Sequence, residues 1–313
     1  MILLHALIYF YPSRKNKLKY IFYHLLKYNL LLMKPKMNVS LENMVKTHVM
    51  NTLKNYAMDT NESLIAEIHP EVSIRLNSVN VIVGKQSSGK TVIALKEIIK
   101  LGVLNTHHLF VYVTKDGQES DKTFLALKPL LMIPYIIISE KEAVEFMKDL
   151  ISAKNLYNLI KRENLQDKID DQQKEDMFKM LAVNDFNREV LHTIVLFDDI
   201  SNSKLFSSEE SYFSQLIRRC RHVNISFFLL IQGWKGLKPH VKNEISTLFI
   251  FPCFNKQQLH YIYSQSASNL SFDEFYEMYS KILKRKTEDC ESHPYMLVNV
   301  VDGGDTSIEL DEP

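Results

Sequence analysis

The sequence contains little glycine, little cysteine and almost no net charge. Of its 313 residues, eight are glycine and three are cysteine, and the formal net charge at pH 7 is +1. A nearly neutral chain has no global basic field of the kind that marks many nucleic-acid-binding proteins, although a local basic loop could still line a DNA channel. The cysteines, Cys220, Cys253 and Cys290, lie far apart without metal-like spacing to histidine, which favours free thiols in a reducing compartment over disulfides or a zinc site.

The sequence also lacks an uninterrupted apolar run long enough to span a membrane, which needs about 18 residues. The segment 1–36 contains two apolar blocks, 1–11 and 20–33, with a basic cluster between them. A signal peptide places its positive charge before its apolar segment, so this order does not fit one. The segment could be an interfacial amphipathic piece, a packed accessory helix, or an extension upstream of a true start at Met33 or Met37, and we favour the last.

The segment 38–68 has apolar residues at helical spacing and is followed by a proline, which breaks a helix. We therefore expect residues 1–70 to form a helical extension that packs against a core domain. At the other end, residues 303–313 are acidic, and we expect them to form a flexible tail. These limits leave residues 71–302 for one large domain.

Two of the eight glycines lie in one motif, which fits the phosphate-binding pattern G-x-x-x-x-G-K-S/T. Glycine lets the backbone turn tightly enough for its N–H groups to face phosphate oxygens, an approach that a side chain would block. In this pattern Lys90 reaches the β- and γ-phosphates, and Thr91 offers its hydroxyl to Mg²⁺. The predicted loop consists of Gly84, Lys85, Gln86, Ser87, Ser88, Gly89, Lys90 and Thr91.

The sequence on either side of this motif supports a nucleotide site. An apolar, β-branched run at 78–83 predicts a buried strand before the loop, and helical spacing at 92–101 predicts a helix after it. The chemistry requires this order, because the N-terminus of a helix carries the positive end of its dipole and attracts phosphate. The alternative is an incidental turn rich in glycine and serine.

Strand and helix signals alternate along the rest of the chain, which predicts an α/β sandwich with a mostly parallel sheet. Further strands are expected at 107–113, 133–139, 193–197, 225–231, 247–251 and 296–301, and helices at 140–162, 209–219, 256–265 and 272–284. Ser139 and Glu142 have the spacing of a capping box for the first of these helices. The polar stretch 163–176 is expected to be a solvated loop or the start of an exposed helix.

A predicted buried strand that ends in two aspartates supplies the partner that a phosphate loop needs for hydrolysis. Because ligands bind at the carboxyl ends of the strands in open α/β sheets, Asp198 and Asp199 are expected to lie beside the loop. Asp198 is the candidate Mg²⁺ ligand, and Asp199 would polarise the attacking water, a role that many motors give to the longer glutamate. The alternative is that the pair caps the following loop.

The next predicted strand begins after a basic segment and ends at Gln232. If this strand lies beside the one that ends at Asp198, the Gln232 amide can sense the γ-phosphate. Arg221 is the preferred candidate for a finger inserted into the site of a neighbouring subunit, and Arg218 and Arg219 are further candidates. The alternative is a solvated basic helix end, which the helix dipole favours.

The segment 234–242 holds three lysines and the single tryptophan of the chain. Its positive charge could follow a DNA backbone without reading sequence, or the segment could be an ordinary surface turn. A second basic cluster, 281–286, is interpreted as a solvated helix end. Four histidines lack partners at ligand spacing and are expected to be structural: His107, His108, His192 and His260.

Taken together and in this order, four segments resemble the genome-packaging ATPases of large DNA viruses, the poxvirus-type branch of the FtsK/HerA superfamily. These segments are VIVGKQSSGKT, IVLFDD, RHVNIS and FFLLIQ. The similarity covers roughly residues 73–301. It implies a P-loop NTPase fold of the RecA/FtsK/HerA type, which is a three-layer sandwich with an additional strand in its central sheet.

The resemblance also implies a function. It implies a homo-oligomeric ring that uses ATP and Mg²⁺ to move double-stranded DNA, in contact with a capsid or portal component, in the host cytoplasm or the virion. It further implies that Asp198, Asp199 and Gln232 act as described above. Two alternatives from other classes are a P-loop nucleoside or nucleotide kinase and an assembly scaffold that binds ATP without hydrolysing it.

Overall fold

The computed structural model describes residues 74, 76–103, 108–117, 121–188, 191–200, 203–266, 270–288, 293–300 and 306–310. The predicted extension 1–70, with its proposed starts at Met33 and Met37, lies outside the described residues. So do Cys290, His107 and both ends of the predicted acidic tail. Within the described ranges, no helix combines the length and the apolar character needed to cross a membrane.

An eight-stranded sheet lies at the centre of the described chain. Its strands are β1 (Val79–Val83), β2 (His108–Thr114), β3 (Tyr135–Ser139), β4 (His192–Phe197), β5 (Ile225–Ile231), β6 (Ile245–Ile250), β7 (Met296–Val300) and β8 (Thr306–Leu310). The order across the sheet is β3-β2-β4-β5-β1-β6-β7-β8. Strands β1 to β6 pair in parallel, and β7 and β8 join antiparallel. The predicted mostly parallel sheet is confirmed.

Helices cover both faces of the sheet and complete a three-layer sandwich. They are α1 (Lys90–Val103), α2 (Lys122–Leu127), α3 (Ala143–Arg162), α4 (Asp171–Leu181), α5 (Tyr212–Arg218), α6 (Pro239–Lys242), α7 (Lys256–Ser266) and α8 (Phe272–Glu288). On one face, α1 and α2 pack in a core cluster that includes Ile98 and Phe124. On the other face, helices α3 to α8 pack in a larger cluster that includes Met147, Phe213 and Phe275. The predicted α/β fold class is confirmed.

The central strands β1, β4 and β5 are buried along their whole length and consist mostly of apolar residues, because both of their faces are covered. Every residue of β5 is buried, and successive side chains point to opposite faces. Phe227 and Leu229 join the larger cluster, whereas Phe228 and Leu230 join the cluster of α1 and α2. Because burying a side chain of this size is worth roughly 1.5–3 kcal/mol, a polar substitution on either face would destabilise the sheet.

The strand order brings distant parts of the chain to one edge of the sheet. Strand β5 lies between β1 and β4 and is the additional strand that the family resemblance implies. Because these three strands are parallel, the residues that follow them meet at one edge, the carboxyl edge, and the residues that precede them lie at the opposite, amino edge. Strand β7 runs the other way, and Met296 at its start pairs with Ile250 at the end of β6. The segment that enters β7 therefore reaches the carboxyl edge.

The predicted capping box at the start of α3 does not form. Glu142 is the N-cap residue of the helix, and its side chain accepts no capping hydrogen bond from the first turn. Ser139 Oγ instead donates to Glu142 Oε2 at 3.0 Å, because β3 continues through Ser139 and holds this residue in the sheet. In the polar stretch 163–176, Asp170 accepts two backbone N–H groups and starts α4, so the stretch is a loop followed by a helix.

Part of the predicted acidic tail is a strand. Residues Thr306–Leu310 form β8, in which Ile308 pairs with Val298 of β7. Ile308 and Leu310 pack against the larger core cluster. The prediction of a flexible tail is wrong for β8, because its apolar residues alternate and so share the face that the core covers.

Candidate active site

The loop between β1 and α1 has a backbone conformation that most side chains disfavour. Gly89 has a φ of 95° and Ser87 a φ of 59°. A Cβ atom at Gly84 would lie 2.5 Å from Ser88 Oγ and 3.0 Å from Phe251 Cβ, so a side chain at that position would require its neighbours to shift. Helix α1 begins at Lys90, two residues earlier than predicted. The predicted order of strand, glycine loop and helix is confirmed.

Lys90 lies across this loop. Its Nζ donates to the carbonyl oxygens of Gly84 at 2.8 Å and of Lys85 at 2.7 Å. Burial lowers the pKa of Lys90, and the negative charges of Asp199 and Asp198 oppose this shift. The Lys90 ammonium is therefore positioned between the loop carbonyls and the acidic side chains that follow β4.

The structure brings both predicted aspartates and Gln232 together at the carboxyl edge. Asp198 and Asp199 follow β4, and Gln232 follows the neighbouring strand β5. Gln232 Nε2 donates to Asp199 Oδ2 at 2.6 Å. Asp199 has a φ of 51°, which is uncommon for a residue other than glycine. Such backbone conformations are concentrated at functional sites, and this one aims the carboxylate at Gln232.

Asp198 has a side-chain partner, Tyr112, which the sequence analysis missed. Tyr112 lies in β2, the other neighbour of β4, and its hydroxyl donates to Asp198 Oδ2 at 3.2 Å. Its ring is buried and packs against Phe110 and Phe124. Tyr112 reads as an ordinary strand residue in the sequence, because its contact with Asp198 depends on the pairing of two strands that are far apart along the chain.

The site contains more negative than positive charge. Burial raises the pKa of Asp198, the nearby Asp121 carboxylate raises it further, and the Tyr112 hydrogen bond and the Lys90 ammonium act in the opposite direction. Asp121, which the sequence analysis also missed, is held in place as the N-cap of α2 by a backbone N–H at 2.7 Å. Carboxylates in excess of nearby ammonium groups suit a divalent cation, and Mg²⁺ prefers oxygen ligands.

The described residues fit an Mg²⁺ ion that is bound together with a nucleotide. In the part of the chain that the structure describes, no three His, Cys, Asp or Glu side chains are grouped so as to hold a metal ion by themselves. Mg²⁺ in nucleotide sites commonly takes one or two protein ligands and completes its shell with phosphate oxygens and water. Thr91 and Asp198 are a pair of this kind, and their assignment as ligands stays a prediction.

Different side chains line the other flank of the loop, toward β6 and β7. Cys253 follows β6 and hydrogen-bonds to the backbone of Lys85, and burial raises the pKa of its thiol. His293 precedes β7 and packs against Gly89, where an added Cβ atom would lie 3.0 Å from both Cβ and Cγ of His293. The sequence analysis placed neither residue in the site, because the reversed direction of β7 has no local signature.

The three candidate arginines lie at the amino edge, because they precede β5 whereas the loop lies beyond its other end. Arg218 forms ion pairs with Glu209 at 3.0 Å and with Glu244 at 3.9 Å. Arg219 and Arg221 are exposed on the turn between α5 and β5. A strand of this length spans roughly 20 Å, which exceeds the reach of an arginine side chain. A finger role for these residues therefore requires a second subunit.

The segment 234–242, a candidate for DNA contact, is only partly exposed. It forms a 3-10 turn followed by α6. Trp234 and Lys242 are buried, and Lys242 Nζ lies 5.2 Å from the centre of the Trp234 ring. Lys235 and Lys238 are exposed. The prediction of a loop with three available lysines is wrong for Lys242, because its ammonium packs against aromatic rings in the protein interior.

Two of the histidines that were predicted to be structural, His192 and His260, have packing contacts. His192 is buried and hydrogen-bonds to Ser226 Oγ at 3.0 Å. His260 packs against Phe272, with 4.6 Å between the ring centres. Lysines in the basic cluster 281–286 form ion pairs with glutamates of the same helix, as expected of a solvated helix surface.

A family model described as Poxvirus A32 protein matches residues 135–279. The matched range contains Asp198, Asp199, Arg221 and Gln232 and begins after the phosphate loop. This match confirms the poxvirus-type resemblance that the motifs indicated. A comparison with curated proteins finds no match.

Several solved structures are similar to this chain. The DNA-packaging ATPase B204 from Sulfolobus Turreted Icosahedral Virus is 13% identical, with a TM-score of 0.44, and the match covers 75% of this chain and 98% of that chain. The cytoplasmic domain of the type VII secretion ATPase EccC from Thermomonospora curvata is 15% identical, with a TM-score of 0.42, and the match covers 74% of this chain and 25% of that chain. At these values the fold assignment rests on the strand order and the loop described above.

Proposed function

We propose that this chain, whose residues 135–279 match the poxvirus A32 protein family, is an ATP-driven motor that moves double-stranded DNA into a viral capsid. The observation that carries the proposal is the meeting of Lys90, Asp199 and Gln232 around a loop shaped for phosphates. A lysine, a carboxylate pair and an amide are the groups that nucleotide hydrolysis uses in P-loop motors. The family match and the fold both support the ATPase class.

In this proposal the loop residues 84–91 bind the phosphates of ATP through their backbone N–H groups. The Lys90 ammonium exchanges its contacts with loop carbonyls for contacts with the β- and γ-phosphates. Thr91 and Asp198 would hold Mg²⁺, which would neutralise phosphate charge. Tyr112 is a positioning residue in this scheme, because its hydrogen bond fixes the orientation of the Asp198 carboxylate.

Asp199 and Gln232 act on the γ-phosphate end of the nucleotide. Asp199 orients the attacking water and accepts its proton, which requires the carboxylate to be ionised. The Gln232 amide, which donates to Asp199 at 2.6 Å, can turn toward the γ-phosphate when ATP is bound and return after phosphate release. The pair thereby links the state of the nucleotide to the segment that follows β5.

The functional unit is proposed to be a homo-oligomeric ring in contact with a capsid or portal component, in the host cytoplasm or the virion. The position of Arg221 supports the ring. Arg221 is exposed at the amino edge of the sheet, whereas the nucleotide site of the same chain lies at the carboxyl edge. In a ring, the amino edge of one subunit can face the carboxyl edge of the next. Arg221 would then stabilise the negative charge that develops during phosphoryl transfer in the neighbouring subunit.

The exposed lysines Lys235 and Lys238 are the proposed contacts to the DNA backbone. Replacing both with alanine is expected to weaken duplex binding on all sequences alike. It should also reduce the slope of log K against log salt by about 0.9 for each DNA phosphate that the protein no longer neutralises. A Lys281→Ala variant, altered on the solvated surface of α8, is the matched control. An unchanged salt slope in the double variant would remove this segment from the DNA interface.

The product of the reaction separates the proposed motor from the two alternatives. ATP labelled on its γ-phosphate is incubated with the full chain, Mg²⁺ and a mixture of nucleosides and nucleotides. The proposal predicts that the label appears as free phosphate. Label on a nucleoside or nucleotide would establish a kinase, and tight ATP binding without release of label would establish a scaffold.

A further inference from the structure

The segment that enters β7 lies beside the phosphate loop for a topological reason. Because β7 is antiparallel to β6, its first residue lies at the carboxyl edge, where Met296 pairs with Ile250. Residues 293–295 are therefore brought next to the loop and to the segment that follows β6. The Tyr295 ring packs against Phe249 and Phe251, at 5.4 Å and 6.1 Å between ring centres, and anchors this segment.

His293 is the residue of this segment that contacts the loop. Its Cβ and Cγ atoms lie 3.0 Å from the position that a Cβ atom would occupy on Gly89, and its Cδ2 atom lies at 3.4 Å. The neighbouring Pro294 is buried, whereas His293 is half-buried. The imidazole is thus fixed against the residue that immediately precedes Lys90.

The two flanks of the loop differ in chemistry. Toward β4 and β5 lie the carboxylates and the amide that suit the Mg²⁺ and γ-phosphate end of a nucleotide. Toward β6 and β7 lie the half-buried Cys253 thiol and the His293 imidazole. A flat, partly apolar ring beside a phosphate site is better suited to pack against a base or a ribose than against a triphosphate. A nucleotide with its γ-phosphate at Asp199 therefore has its nucleoside end toward His293.

We propose that His293 binds the nucleoside half of a nucleoside triphosphate, by packing its ring against the base or the ribose. This inference rests on the proposed function, because it requires ATP to occupy the loop. It assigns a ligand contact to a segment that lies outside all the predicted motifs.

Calorimetric binding of two ligands to the full chain tests the assignment. The ligands are Mg-ATP, which has a nucleoside, and inorganic tripolyphosphate with Mg²⁺, which does not. The His293→Ala variant is expected to bind ATP about tenfold more weakly, which is the scale of removing one ring that stacks on a base, and to bind tripolyphosphate within about twofold of the original chain. The His293→Phe variant keeps a ring and should retain most of the ATP affinity.

Two results would overturn the inference. Equal decreases in affinity for ATP and tripolyphosphate would show that His293 only supports the loop, and unchanged ATP affinity would show that it does not touch the nucleotide. His222→Ala, which alters an exposed histidine at the amino edge, is the matched control. Lys90→Ala should weaken both ligands; if it weakens neither, the proposed nucleotide site fails, and that failure is distinct from failure of the His293 assignment.

Discussion

The two edges of the central sheet carry different kinds of polar group. At the carboxyl edge, the charges of Asp198 and Asp199 act on Lys90, and Gln232 hydrogen-bonds to Asp199. At the amino edge, Arg221 lies on a turn and is exposed. The first edge holds the candidate active site, and all of its named groups come from this chain. The second carries an exposed cation far from that site, which is the arrangement expected where one subunit completes another.

The turn at the amino edge is nevertheless fixed. Lys154 reaches it from α3, and its Nζ donates to the carbonyl oxygens of Val223 at 3.0 Å and Asn224 at 3.1 Å. Lys154 is buried, and burial lowers its pKa from 10.5 to about 7. Burying an ammonium group without a carboxylate among these partners lowers the stability of the fold. The contact nevertheless holds the backbone beside Arg221 in place.

The largest expected effect is at the carboxyl edge. Lys90→Ala removes the ammonium that spans the loop, and we expect ATP hydrolysis to fall by at least about 100-fold, because it removes charge stabilisation of the transferred phosphate. Steady-state phosphate release measures this. Lys122→Ala, which alters an exposed lysine on α2, is the control. Hydrolysis within a few-fold of the original chain in Lys90→Ala would contradict the site.

Asp199→Asn should separate binding from chemistry at the same edge. The amide is nearly the same size but cannot accept the proton of the attacking water, so we expect hydrolysis to fall by about 100-fold while ATP affinity changes by less than about threefold. Rapid-quench measurement of one turnover, together with calorimetry, distinguishes the two quantities. If single-turnover hydrolysis keeps its original rate, Asp199 is not the base.

Mixing variants tests whether the two edges belong to one composite site. Subunits with Lys90→Ala keep the amino edge, and subunits with Arg221→Ala keep the carboxyl edge. Mixed rings should hydrolyse ATP several-fold faster than the average of the two pure variants, because some interfaces then combine both intact edges. Mixtures with Arg218→Ala, whose side chain is held in ion pairs with Glu209 and Glu244, serve as the comparison. Activity that equals the average removes the trans-acting role of Arg221.

The last prediction concerns the support of the amino edge. Between pH 7 and pH 10.5 the unfolded chain keeps a proton on Lys154 that the folded chain releases, so the free energy of unfolding should rise with pH in this window. The slope for one proton is at most about 1.4 kcal/mol per pH unit. Lys154→Met should flatten it, as measured by urea unfolding at several pH values. Parallel pH profiles for Lys154→Met and for Lys141→Met, altered at an exposed site, would contradict this account.

The parts of the site that lie within one continuous segment were predictable from sequence. Residues 84–91 contain a complete phosphate-binding motif. The pair Asp198 and Asp199 follows a strand that can be recognised from its apolar composition. Gln232 was predictable only on the condition that β5 lies beside β4, which the strand order confirms. Local composition is enough when the chemistry and its supporting strand are adjacent in the chain.

The parts that depend on strand pairing or strand direction were not predictable. Tyr112 contacts Asp198 through the pairing of β2 with β4, and His293 reaches the loop because β7 is antiparallel. Lys242 was misjudged for a related reason. Its charge suggested solvent, but Trp234 and Tyr261 cover it, with ring centres 5.2 Å and 5.0 Å from Nζ. The spacing of apolar residues in the sequence indicates which face of a helix or strand a residue lies on. The contacts of Tyr112, His293 and Lys242 depend instead on which helices and strands become neighbours.

The ATPase rate of the full chain, measured with and without double-stranded DNA, decides whether this ATPase is a DNA motor. A motor that moves DNA couples its turnover to the cargo, so we expect duplex DNA to increase the rate, and we expect Lys90→Ala to abolish both the basal and the stimulated activity. A rate that is the same with and without duplex DNA, in a preparation that hydrolyses ATP through Lys90, would contradict the claim that this ATPase is a DNA motor.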